Sequence, residues 1–139
     1  MPSALTGYAG SPPPFRYGPP MTFEDLLAYC LEKPGAWRDE PWEGDSVAKV
    51  DEKIFAFLGH DSVGLKCGAG RDEADEWLVR YPEDASVMAY LGRSGWNTLK
   101  VNGAIPEDEV REAIDESYLM VVSKLARKRR PEGWDRTPG

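Results

Sequence analysis

Apolar residues recur at spacings of three and four near both ends of the chain and at spacings of two through its middle, a pattern that predicts helices flanking a sheet. Near the start, Phe23, Leu26, Leu27, Cys30 and Leu31 share one helical face. Thr22 and Asp25 form a capping-box pattern, with Met21 placed to pack on Leu26 and Pro34-Gly35 as the stop. A first helix is therefore expected over about Thr22 to Glu32. The following stretch, Trp37 to Asp45, mixes Trp, Pro, Gly and acids without a period and reads as a surface loop.

From Val47 the period becomes two. Val47 to Val50, Ile54 to Leu58 and Val63 to Cys67 are short β-rich runs, separated by Asp51-Glu52 and by Gly59-His60-Asp61, and they predict an antiparallel meander. A second helix is expected over Arg71 to Tyr81, with Asp72 and Glu73 at the positive end of its dipole and Ala74, Trp77, Leu78 and Tyr81 facing inward. Pro82 ends it. Two more strands, about Ser86 to Tyr90 and Trp96 to Val101, lead to an Asn102-Gly103 turn and to Pro106 at the opening of the last helix. In that helix Val110, Ile114, Tyr118, Val121, Val122 and Leu125 form a continuous apolar stripe, and Lys124 to Arg130 are expected in its final turns. The order is αβββαββα: an α+β single domain whose antiparallel sheet of about five strands carries helices on one face. Residues 1–21, with six of the 12 prolines, read as an arm; 22–130 is the domain and 131–139 a short tail.

Charge changes this picture. The 139 residues carry a net charge of -7, yet the split is uneven. Residues 22–123 hold 22 acidic and 10 basic side chains, whereas Lys124, Arg127, Lys128, Arg129 and Arg130 form a run of five cations without an acid. Any attraction for a phosphate polymer is thus expected to be local, since the acidic body is screened beyond a Debye length of roughly 8 Å. No apolar run is long enough to span a bilayer, and the opening MPSALTGYAG has neither the basic nor the apolar region of a secretory signal, so a cytoplasmic protein without a membrane partner is expected.

Candidate chemistry is sparse. His60 is the only histidine and reads as a turn residue. Cys30 and Cys67 fall on inward positions and read as small core residues. Gly68-Ala69-Gly70 opens the second helix like a phosphate-binding turn, but Asp72 and Glu73 occupy the place an anion would need, so capping is the expected role. Acid pairs such as Glu24-Asp25, Asp39-Glu40 and Asp115-Glu116 read as solvated charge. No catalytic residue, metal site or cofactor motif is assigned. Trp96 reads first as a core plug under the last helix; beside Arg93 and Lys100 it is also the aromatic available to stack on a base.

The ordered set Lys33-Pro34-Gly35-Ala36, Val50 with Lys53-Ile54-Phe55-Ala56, Leu65-Lys66-Cys67, Trp96-Asn97-Thr98 and Ser117-Tyr118 through Lys124-Leu125 resembles the MmcQ/YjbR family, over about Phe23 to Arg129. The resemblance implies a fold similar to CyaY and frataxin and a DNA-binding role. Against the family pattern, Arg93 is the only cation just before the Trp-Asn motif, and the hairpin turn is the acidic Asp51-Glu52. Both lower the attraction for phosphate. The expected function is a small non-enzymatic binding protein that contacts DNA backbone through Lys124, Arg127, Lys128, Arg129 and Arg130, aided by Arg93, Trp96 and Lys100. The alternative is a protein-interaction or small-ligand module that uses the Pro-rich arm, Trp37, Trp42 and the concave side of the sheet.

Overall fold

The computed structural model describes residues 20–136. The elements run α1 (Phe23–Leu31), β1 (Ala36–Trp42), β2 (Asp45–Val50), β3 (Lys53–Leu58), β4 (Ser62–Lys66), α2 (Arg71–Arg80), β5 (Ala85–Val87), β6 (Trp96–Lys100) and α3 (Glu107–Ser123). The α+β class holds, but the sheet has six strands and the order is αββββαββα. All five pairings are antiparallel, in the order β1-β2-β3-β4-β6-β5.

The added strand is β1, where the sequence pattern predicts a loop. It is an edge strand with most of its side chains in solvent, so no apolar alternation marks it. Its order comes from the backbone of β2, and its register shifts between Asp39 and Trp42, around Pro41, which has no N–H to donate. β5 is also shorter than expected, ending at Val87.

At the N-terminal end the capping box is complete. Asp25 N–H donates to Thr22 Oγ1 at 3.0 Å and Thr22 N–H to Asp25 Oδ2 at 2.9 Å, contacts that hold the Asp25 carboxyl below its usual range. Met21 is buried in the core, its backbone clamped on both sides by the Asn102 amide, so the fold includes a residue assigned to the arm. The remainder of that arm lies outside the described residues except Pro20.

The core joins alternate sheet positions (Ala48, Val50, Leu58, Val63, Leu65, Leu99) to Leu26 and Cys30 of α1 and to the expected stripe of α3. Alternation puts Asn97 on the same face as Leu99, and its amide donates to Ala74 O of α2 at 2.8 Å, so α2 covers that face too. Tyr118 OH donates to Pro34 O at 2.6 Å, and Lys33 and Tyr29 both reach Asp115; these contacts pin the Lys33-Pro34-Gly35 turn and α1 to α3.

α3 ends at Ser123, not within the basic run. Lys124 is its C-cap, and Arg127–Arg129 form a separate 3₁₀ turn. The Arg130 guanidinium folds back to donate to Ser123 O at 2.9 Å and to Leu125 O at 3.0 Å, satisfying carbonyls that the ended helix leaves open. Among the described residues no helix is long and apolar enough to cross a membrane.

Candidate nucleic-acid interface

Because β4 lies between β3 and β6 and is antiparallel to both, the start of β3, the end of β4 and the start of β6 meet at one end of the sheet. The last turn of α3 crosses that end. The result is a groove of about 320 Å³ lined by Lys53 and Ile54 of β3, Lys66 of β4, Trp96 of β6, and Met120, Val121, Lys124 and Leu125 at the end of α3. Its three charged residues are all lysines.

Two local devices build it. The pairing of β3 with β4 stops at Ala56 and Leu65, after a bulge in β3 that leaves Phe55 out of register with β2. One step farther along, the Ser117 hydroxyl of α3 takes the place of the ladder: it accepts from Lys66 N–H at 3.0 Å and donates to Phe55 O at 2.7 Å. The strands therefore part just where the groove opens. The second device is the loop before β6. Gly95 is left-handed (φ 91°), and a Cβ there would strike Gly68 O, so glycine alone delivers Trp96 at this position. Arg71 reinforces the loop by donating to Gly92 O at 2.9 Å, Trp96 O at 3.2 Å and Asn97 Oδ1 at 2.9 Å.

Lys66 donates its ammonium to Ser94 O at 2.5 Å. Burial, and then the nearby Lys124 charge, lower its pKa, with Glu73 opposing. Lys53 and Lys124 are exposed and, among the described residues, make no ion pair. Trp96 is mostly buried and meets Phe57 edge-on at 5.6 Å, the expected core role, while still lining the groove.

The other sequence candidates scatter. Arg127 and Lys128 are exposed on the turn after Lys124, and Arg93 is exposed one residue from the Ser94 carbonyl that holds Lys66. Arg129 instead donates to both oxygens of Asp51, at 3.1 and 2.9 Å, with Glu52 at 3.8 Å; the acidic hairpin turn neutralises it. Arg130 caps α3 and lies over the Trp134 ring. Lys100 pairs with Ser62 at the opposite end of β6, four residues from Trp96, or about 13 Å along the strand. Lys53 and Lys66 were missed as site residues: nothing in their local sequence shows that the sheet brings them beside Lys124.

A second groove, about 800 Å³, runs between α2 and α3 and presents Glu73, Glu76, Asp108, Glu109, Glu112 and Glu116. Met120 borders both grooves, so the lysines face one side of α3 and the acids the other. Glu73 also accepts from Ala69 N–H at 2.7 Å, one residue before the Gly70 N-cap, so it ties the loop to α2 while no side chain caps the helix itself. Burial pushes both thiols, Cys30 and Cys67, up to about 12, and His60 sits against the Phe23 ring at 5.9 Å. Trp37 and Trp42 are exposed on the β1 edge, where Trp37 donates to Asp51 O at 2.8 Å.

A YjbR family model matches residues 31–120. The chain belongs to the YjbR family. The YjbR proteins of Escherichia coli K12 and O157:H7 are each 28% identical to it over 116 residues, which is 79% of this chain and 95% of each relative. The crystal structure of Deinococcus radiodurans protein DR2400 has a similar fold, with a TM-score of 0.70 at 23% identity, over 79% of this chain and 86% of that one. The matched YjbR span takes in Lys53, Lys66, Trp96 and Ser117 and stops short of Lys124 and the basic run.

Proposed function

We propose that this YjbR-family chain is a non-enzymatic binding protein that contacts the phosphate backbone of DNA through Lys53, Lys66, Lys124, Arg127 and Lys128, with Arg93 and Trp96 beside them. One observation carries the reading: three lysines from three separate elements line a single groove that has no carboxylate in its wall. Cations so arranged repel one another and gain most from a polyanion. Turnover is not part of the proposal, because thiols raised to about 12 are not nucleophiles at neutral pH and the histidine stands apart from the groove. The fold likeness to CyaY and frataxin stays within the same proposal.

The acidic groove beyond Met120 limits the footprint. A duplex laid across the lysines cannot extend over α3 without meeting Glu112 and Glu116, so the contact is short and relies on few phosphates. With five cations engaged, the log-log salt slope is no steeper than about -4.5. The test is a fluorescence-anisotropy titration with random duplex DNA across a salt series. The expected result is salt-sensitive binding that the double change Lys66→Glu with Lys124→Glu abolishes. A Kd weaker than about 10⁻⁴ M at low salt, looser than ordinary non-specific association, rejects the proposal.

A further inference from the structure

We propose that the lysine groove is also a site for one nucleoside monophosphate, with the phosphomonoester held by Lys53, Lys66 and Lys124 and the flat base laid against Ile54, Trp96 and Leu125. This goes beyond backbone contact with a duplex while sharing with it the reading of these lysines as phosphate ligands. The groove wall selects the kind of ligand. Besides the lysines it is wholly apolar (Ile54, Trp96, Met120, Val121 and Leu125), so a bare inorganic anion would leave most of it wet. At about 320 Å³ the groove is at the small end of organic-ligand sites, roughly 300–1,000 Å³.

Charge then selects the head group. A phosphomonoester carries about -1.5 to -2 at neutral pH, from a second pKa near 6, against a single charge on each diester of a nucleic-acid chain. Three ammonium groups that form no ion pair among the described residues, one of them (Lys66) hydrogen-bonded to Ser94 O, match the monoester better. Lys66 fits this account: its pKa is lowered by burial and by Lys124, so an anion placed between the two lysines removes the repulsion that lowers it. Shape excludes the paired base. In a duplex the bases are stacked inside and cannot reach a groove floor beside Trp96, whereas a free nucleotide can.

The probe is thymidine 5′-monophosphate, titrated into the ¹⁵N-labelled full chain and followed by NMR, with the Trp96 indole resonance assigned through Trp96→Phe. The expected result is saturable shifts of the Trp96 indole and of the Lys66 and Leu125 amides. Thymidine and inorganic phosphate, each half of the ligand, should bind at least about tenfold more weakly. Lys66→Gln, and independently the exposed Lys53→Gln, should each weaken the nucleotide by about tenfold, the loss of one charge-assisted hydrogen bond. No shift at these residues up to roughly 10 mM, or inorganic phosphate binding as well as the nucleotide, overturns the proposal. The duplex titration separates the two readings. Duplex binding without nucleotide binding overturns this site and leaves backbone contact standing; nucleotide binding without duplex binding supports this site and removes the backbone reading.

Discussion

Replacing Ser117 by Ala tests the joint on which the groove depends. The hydroxyl stands between Lys66 N–H and Phe55 O, and with it gone the Phe55 carbonyl is buried without a partner while the part-buried Lys66 amide loses its acceptor. A buried unsatisfied group costs about 1–3 kcal/mol, and the two strands can recover some of that by closing the gap, which puts the expected loss at about 2–4 kcal/mol. Domains of this kind have only about 5–15 kcal/mol in hand. Urea unfolding should therefore show the midpoint falling by about 1–2 M at unchanged slope. Amide exchange should lose protection first at Lys66, before the centre of β4 does. If the variant stays within about 0.5 kcal/mol of the parent and the Lys66 amide keeps its protection, the inserted hydroxyl is not what parts the strands, and the account of how the groove opens is wrong.

Further outcomes are expected at the hairpin turn, at the end of α3 and at Cys30. Asp51→Asn combined with Glu52→Gln removes both carboxylates that hold Arg129 at the hairpin turn, so duplex affinity should rise and the salt slope should steepen by about 0.9, read in the same anisotropy series. Arg130→Ala should lower thermal stability through the lost helix cap while leaving DNA affinity unchanged, whereas Lys124→Ala should do the reverse, since Arg130 is turned onto α3 and Lys124 lines the groove. The Cys30 thiol, raised from 9.0 to about 12 by burial, should resist disulfide-exchange reagents at pH 8 until the chain is unfolded. Its linkage has a definite sign: the unfolded chain releases this proton near pH 9 and the folded chain holds it to about 12, so its contribution is complete below pH 9 and is lost as pH rises through that window. At pH 10 the loss is of the order of 1 kcal/mol, and the drop between pH 8 and pH 10 should be smaller in Cys30→Ala.

Local chemistry was enough to write much of the fold into the chain. The capping box of α1 and the apolar stripe of α3 are set by near neighbours in sequence, and the short β-rich runs of β2, β3 and β4 supply side chains that are buried on both faces at their centres. β1 escaped because an edge strand exposed on both sides has no period to display; its partner, not its own side chains, makes it a strand. The end of α3 escaped for a related reason. The stripe continues through Leu125, which is buried, so nothing local marks Ser123 as the last residue, and the stop depends on Arg130 turning back onto the helix.

The site divides along the same line. Trp96 and Lys124 were legible as an aromatic in a short motif and a cation after a helix. The run of five cations was legible as charge, but not the fate of each member: Arg129 meets an acid 78 residues away in sequence and Arg130 turns back to carbonyls at and just past the end of α3. Lys53 and Lys66 acquire their place only when antiparallel pairing lays the start of β3 beside the end of β4 under α3. Sequence by itself determined the class, the core faces and the supply of charge, because these follow from side chains acting on their neighbours along the chain. Which charges stay unpaired, and which of them face one another, was decided by tertiary structure, because a Coulomb interaction depends on distance in space and not on separation in sequence.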